Sequence, residues 1–184
     1  MPVYTPENPD FTSFCPDFSL PAVDSGKMFS RADFQNGNPF LVMFICNHCP
    51  YVKAIEDRLI VLGYDLKKEN MNVIAICSND ENSYPDDSLI NLKKRMLEKN
   101  YPFFYLYDQT QSVAKTFGAI CTPDFFVYNQ LGKLSYRGRL DDSWKDPNLV
   151  TSRELYNAVL ELAANKPIAK PQTVSAGCSI KWAK

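Results

Sequence analysis

Hydrophobic positions change period several times along the chain, and each change marks an element. Phe40-Leu41-Val42-Met43-Phe44-Ile45 is an unbroken apolar run, the pattern of a strand buried on both faces. From Tyr51 the period becomes helical. Val52, Ile55, Leu59 and Leu62 recur at spacings of three and four, with Glu56, Asp57 and Arg58 between them, and the helix ends near Gly63 or runs on, broken, to Asn70. Residues 71–77 (MNVIAIC) predict a second buried strand that leads into Ser78-Asn79-Asp80. A helix then fits 86–100, with Leu89, Leu92, Met96 and Leu97 on one face, and 103–106 is a third strand. Asp108 caps a short helix through Phe117, with Gly118 at its C-terminal end. Residues 124–128 and 133–136 flank a turn and predict a hairpin. Thr151-Ser152-Arg153-Glu154 reads as a capping box opening a last helix, whose Leu155, Val159 and Leu162 face inward. Upstream, residues 1–16 are proline-rich and expected to be extended. Phe18-Ser19-Leu20 and Lys27-Met28-Phe29 flank a polar turn, a second and shorter hairpin, and 30–34 has room for one helical turn.

Strand, helix, strand, helix, then a hairpin and a closing helix predict an α/β fold with a central mixed sheet flanked by helices. Functional sites in such sheets gather at the C-terminal ends of the parallel strands. The loop at Cys46 and the loop at Ser78-Asn79-Asp80 are therefore expected side by side. A length of 184 residues fits one domain over 1–165, including the N-terminal extension, with a tail over 166–184 packing on it. A net charge of −1 argues against nucleic acid or an anionic membrane surface as partner. No stretch reaches the ~18–20 apolar residues of a membrane span. The first seven residues lack a basic region and an apolar core, so no signal peptide is expected and the reading is cytoplasmic.

The chemistry concentrates at Cys46-Asn47-His48-Cys49-Pro50, between the first buried strand and the helix after it. A helix N-terminus offers unpaired N–H groups and partial positive charge, both of which favour a thiolate. The thiolate is the reactive form of cysteine. Two thiols three positions apart can close a disulfide, which makes this a redox dithiol. Cys46 is expected to be the more exposed and to attack a substrate disulfide, and Cys49 to be buried and to resolve the mixed disulfide. His48, the only histidine, tunes the couple by pairing with the Cys46 thiolate. Pro50 suits the first helical turn, where a missing N–H is no loss. No cofactor is implied. Two competing readings stand beside this one: core cysteines beside a solvent-facing histidine, and a Cu(I)- or zinc-binding module using Cys46, Cys49 and His48 or Cys121, since soft thiolates suit those ions. A four-ligand zinc site needs a second ligand pair at fixed spacing, which is absent.

Further along, Thr122-Pro123 precedes a strand. With the Cys-x-x-Cys motif and this element order, the chain resembles the thioredoxin superfamily. More narrowly it resembles the peroxiredoxin-like redoxin branch, of alkyl hydroperoxide reductase C / thiol-specific antioxidant type, carrying a Cys-x-x-Cys motif. The residues that carry the likeness include 44–52, Asn79-Asp80, 84–88, Cys121-Thr122-Pro123-Asp124, Tyr136-Arg137-Gly138-Arg139 and 177–182. The resemblance implies a thioredoxin-like fold, a cis Thr122–Pro123 bond, and a substrate rest made by Thr122, Pro123 and Asn47. It implies a disulfide-containing protein or small thiol as substrate, an electron-donor reductase, and a monomer or homodimer.

Two positions depart from the pattern. Thioredoxins carry a buried acid on the strand before the dithiol, but residues 39–45 contain none, which leaves water, Asp80 or Asp124 to take the resolving thiol's proton. True peroxiredoxins have a threonine three residues before the peroxidatic Cys-Pro and a proline seven before; Cys46 and Val42 stand there. Such transition-state donors are worth about 10²–10³ in rate, so thiol peroxidase activity ranks as the alternative function. Cys121 and Cys178 are candidate accessory redox groups, pairing with each other or relaying to the main dithiol, against a simpler reading in which both stay free. Arg137 and Arg139 fit either an anionic substrate group or a charged sheet edge. Cys15 and Cys77 read as inert packing residues.

Overall fold

The computed structural model describes residues 4–6 and 9–184. The extended segment expected over 1–16 therefore lies partly outside the described residues, as do most of the first seven. The five-stranded sheet has the order β5-β4-β3-β7-β8, built from β3 (Phe40–Phe44), β4 (Asn72–Cys77), β5 (Phe104–Tyr107), β7 (Asp124–Tyr128) and β8 (Leu134–Gly138). Strands β3, β4 and β5 run parallel, while β7 and β8 run antiparallel to their neighbours. The sheet is mixed, as the element order implied. Strand β3 lies at its centre with every residue buried, which is why its sequence never alternates with polar residues.

The two faces of β3 feed two cores. Leu41 and Met43 pack against α1 (Pro50–Lys68) and α4 (Glu154–Ala163), with Leu92 of α2 (Leu89–Lys99) in the same cluster. Phe40, Val42 and Phe44 face the opposite layer. That layer holds the small hairpin of β1 (Ser19–Pro21) and β2 (Met28–Ser30), the short helix α3 (Ser112–Phe117), and Ile180 from the tail. Helix α1 runs unbroken through Gly63, where a Cβ would meet the Pro102 ring at 2.7 Å, so glycine lets the loop between α2 and β5 pack close. No helix among the described residues is long and apolar enough to cross a membrane.

Three boundaries differ from the sequence reading. The helix expected over 86–100 splits into a 3-10 turn, Pro85–Asp87, and α2. The break frees the Asp87 side chain to point at another loop. The short helix starts at Ser112; Asp108 still accepts the Ala114 N–H at 2.9 Å, with Gln111 in left-handed conformation between them. At α4 the residues of the expected capping box are taken elsewhere. Thr151 bonds Asp142, and Glu154 holds Arg139 through two hydrogen bonds of 2.8 Å. Two further strands have no periodic signal: β6 (Cys121–Thr122) and β9 (Cys178–Ser179), which pair antiparallel with each other.

Candidate active site

Strand β3 delivers Cys46 two residues beyond its end, and Cys49 is the N-cap of α1 with Pro50 in its first turn. From the other side, β6 brings Thr122 and the Thr122–Pro123 peptide, which is cis. The Cys46 sulfur lies 3.4 Å from the Thr122 hydroxyl, and the Cys49 thiol donates to the Thr122 carbonyl at 3.1 Å. Cys46, Cys49, Thr122 and Pro123 are thus brought together. Both sulfurs are buried, however, at 2% and 0% exposure, so the expected exposed attacking thiol is not exposed.

The surroundings push the two thiols in opposite directions. Burial pushes the Cys46 thiol well above its ordinary value, with Cys49 and Asp87 adding to the rise. Cys49 is lowered to about 5, first by the hydrogen bond from Cys46, and, against the cost of burial, by Thr122, the Val52 N–H and Cys178. The helix N-terminus at Cys49 favours the same lowering.

His48 is engaged elsewhere than expected. Its Nδ1 donates to Asp87 Oδ2 at 2.5 Å and stands 3.7 Å from the Cys46 sulfur, while its ring stacks on Tyr84. The same nitrogen cannot give one proton to both. Nε2 is buried with no hydrogen-bond partner among the described residues. Asn47, expected at a substrate rest, is half-buried and bonds the neighbouring loop: its Nδ2 donates to the Asp86 carbonyl at 2.9 Å and its N–H to Asp87 at 2.7 Å.

The acid that organises the loop is Asp87, to which the sequence reading assigned no chemical role. It is fully buried and accepts from the Asn47 N–H, the His48 N–H, His48 Nδ1 and Asn79 Nδ2. The two acids named as candidate proton acceptors are engaged elsewhere. Asp80 closes its own turn through Asn82 and Ser83, and Asp124 pairs with Arg137 at 2.9 Å. Arg137 and Arg139 are both committed to internal carboxylates. The available signal was Asp86-Asp87 at a break between loop and helix; an amphipathic pattern running through it concealed the turn.

Cys46, His48 and Asp87 bring three ligand atoms within 4.8 Å of one another. Ligands about 2.1 Å from a tetrahedral zinc stand roughly 3.3 Å apart, so the 2.5 Å His48–Asp87 contact is spaced as a hydrogen bond rather than a chelate. Cys121 is buried and pushed up by that burial. Cys178 stands opposite Thr122 rather than Cys121. Cys15 and Cys77 are buried thiols, both pushed up by burial. Beside Pro123 a cavity of about 170 Å³ opens between Tyr51, Ile55, Phe125, Leu140 and Trp144.

A sequence profile of the AhpC/TSA family matches residues 12–137. An uncharacterized conserved protein from Geobacillus kaustophilus is 39% identical, with a TM-score of 0.94 over 100% of this chain and 97% of that one. A hypothetical protein from Sinorhizobium meliloti is 36% identical, with a TM-score of 0.92 over 97% and 98%. A putative thioredoxin from Neisseria meningitidis is 26% identical, with a TM-score of 0.57 over 67% and 77%. No curated protein matches the chain.

Proposed function

The chain belongs to the AhpC/TSA family of thioredoxin-superfamily redoxins, and on that premise we propose that it is a thiol–disulfide oxidoreductase working through the Cys46–Cys49 dithiol. The observation that carries this reading is the meeting of both sulfurs with Thr122 beside the cis Pro123 peptide, with Cys49 at the N-cap of α1. Cys49 attacks a substrate disulfide, one substrate sulfur leaves as a thiolate, and a mixed disulfide forms on Cys49. Cys46 then attacks Cys49, closing Cys46–Cys49 and releasing the second substrate thiol. The Thr122 backbone beside Pro123 is the edge on which an extended substrate strand pairs. Asp87 is a positioning residue that holds the 46–48 loop. The substrate is a protein or small-molecule disulfide, an electron-donor reductase restores the dithiol, and a reducing compartment such as the cytosol suits these thiols.

A redox titration in glutathione or dithiothreitol buffers, reading the Cys46–Cys49 linkage by mass spectrometry, tests the reading. A reversible two-electron couple is expected; no intramolecular couple would sink it. The family match gives a second reading, thiol peroxidase at Cys49. Val42 and Cys46 stand where a peroxidatic site has its proline and threonine, so the expected result is slow hydrogen peroxide consumption by the reduced protein. Rapid consumption would reverse the order of the two readings.

A further inference from the structure

The tail returns to the dithiol and lies along the edge that exchange requires. Cys178 sits opposite Thr122 in the β6–β9 pair. The backbone is tied on both sides of it. Gly177 exchanges hydrogen bonds with Tyr4, and the Ile180 N–H donates to the Ile120 carbonyl at 2.9 Å. The Lys181 N–H donates to Asn79 Oδ1 at 2.8 Å, and its carbonyl accepts from Asp80 and Gln111. The approach is close enough that a Cβ on Gly177 would stand 2.0 Å from the Thr122 carbonyl oxygen. Cys178 is itself buried and lies directly across from Thr122, whose carbonyl oxygen is 3.1 Å from the Cys49 sulfur. A tail serving only to cover the sheet needs no thiol at that register position. Three sulfurs, from a loop, a helix cap and the last strand, meet beside Thr122.

We infer that residues 177–180 form a tethered strand occupying the place of substrate, and that Cys178 is a third exchanging thiol acting on Cys49. The inference rests on the proposed exchange reaction and adds what closes the site. In the oxidised protein the Cys178 thiolate attacks the Cys49 sulfur. The Cys49–Cys178 bond forms, the Cys46–Cys49 bond breaks, and its electron pair leaves on Cys46, which takes up the proton Cys178 gave away. Nothing is oxidised or reduced overall; the disulfide changes place and Cys46 returns to the thiol. An incoming strand and the tail compete for the same Thr122 backbone groups, so substrate enters only when 177–180 lifts.

Diamide, which takes two electrons and two protons for each disulfide it makes, gives the test. Full-length protein is oxidised with one equivalent, acid-quenched, alkylated and mapped without reductant. Cys46–Cys49 and Cys49–Cys178 peptides are both expected in the wild type, and Cys49–Cys178 alone in Cys46→Ser. Gly177→Ala keeps all three sulfurs but forces the strand off Thr122. It is expected to lower the Cys49–Cys178 yield, and to raise the rate of Cys49 alkylation in reduced protein, by about tenfold each. Cys46–Cys49 in the wild type with no Cys178 linkage in Cys46→Ser would overturn the inference and leave the dithiol reading standing. No linkage at Cys49 in either protein would overturn both. Unchanged Cys49 alkylation in Gly177→Ala would overturn the closing role of the strand.

Discussion

Asp87 and Asp124 are both fully buried beside segments that frame the dithiol, yet the protein treats their charges in opposite ways. Burial is the largest influence on each and works to raise both. At Asp87 it is outweighed by His48, Asn79 and the Asn47 N–H, and the carboxyl is held below its ordinary value. At Asp124 burial prevails over the Arg137 guanidinium, and the carboxyl rises to about 6. The acid with a full positive charge 2.9 Å away is thus the one more easily protonated. The difference lies mainly in the number of directed donors, of which the His48 ring also acts electrostatically. Four N–H groups converge on the two Asp87 oxygens, whereas Asp124 Oδ1 has no partner among the described residues. For a buried carboxylate, several aimed N–H groups can do more than one neighbouring charge.

The largest effect expected from this contrast is at Asp87. Asp87→Ala strands two backbone N–H groups, the His48 ring and the Asn79 amide in a dry site, and should cost about 3–5 kcal/mol in urea unfolding. A loss below about 1 kcal/mol would mean the donors find water, and the contrast with Asp124 would collapse. His48→Ala comes next, since it removes one donor of the four and leaves the others in place. A cost of about 1–2 kcal/mol is expected, together with an upward move of the Asp87 pKa measured by carboxyl NMR titration. An unmoved titration would show that the backbone N–H groups hold Asp87 without the imidazole.

How far the sequence could be read follows the same division between local and distant causes. The apolar run 40–45 and the helical spacing of Val52, Ile55, Leu59 and Leu62 reflect neighbours in the chain. They placed β3 and α1, with Cys46 and Cys49 in the turn between them. The cis Thr122–Pro123 peptide was legible through the family resemblance, since a proline that opens a strand is locally ordinary. Asp87 was not, since its partners at Asn47 and His48 lie about forty positions away and its own stretch reads as the start of a helix. Strand β9 is two residues long and has no period to detect. The need for glycine at 177 arises only when the Thr122 carbonyl comes close. The surroundings of Cys49 were hidden for a similar reason: they depend on which residue is the N-cap and on a tail strand that arrives from the other end of the chain.

The smallest effect, and the sharpest in sign, concerns pH. Asp87 is lowered, so its contribution to stability is complete above its unfolded value near 4 and is lost as pH falls through its still lower folded value. Asp124 is raised, so its contribution is complete below that same unfolded value and is lost as pH rises through about 6. Asp124→Asn cannot ionise and should escape the second loss. Relative to wild type, the variant is expected to gain roughly 1 kcal/mol or more between pH 4 and pH 7, read from urea midpoints at matched ionic strength. A variant that instead loses ground over that interval would show that the Arg137 pair keeps Asp124 charged at low pH. One guanidinium would then be as effective as the four donors around Asp87.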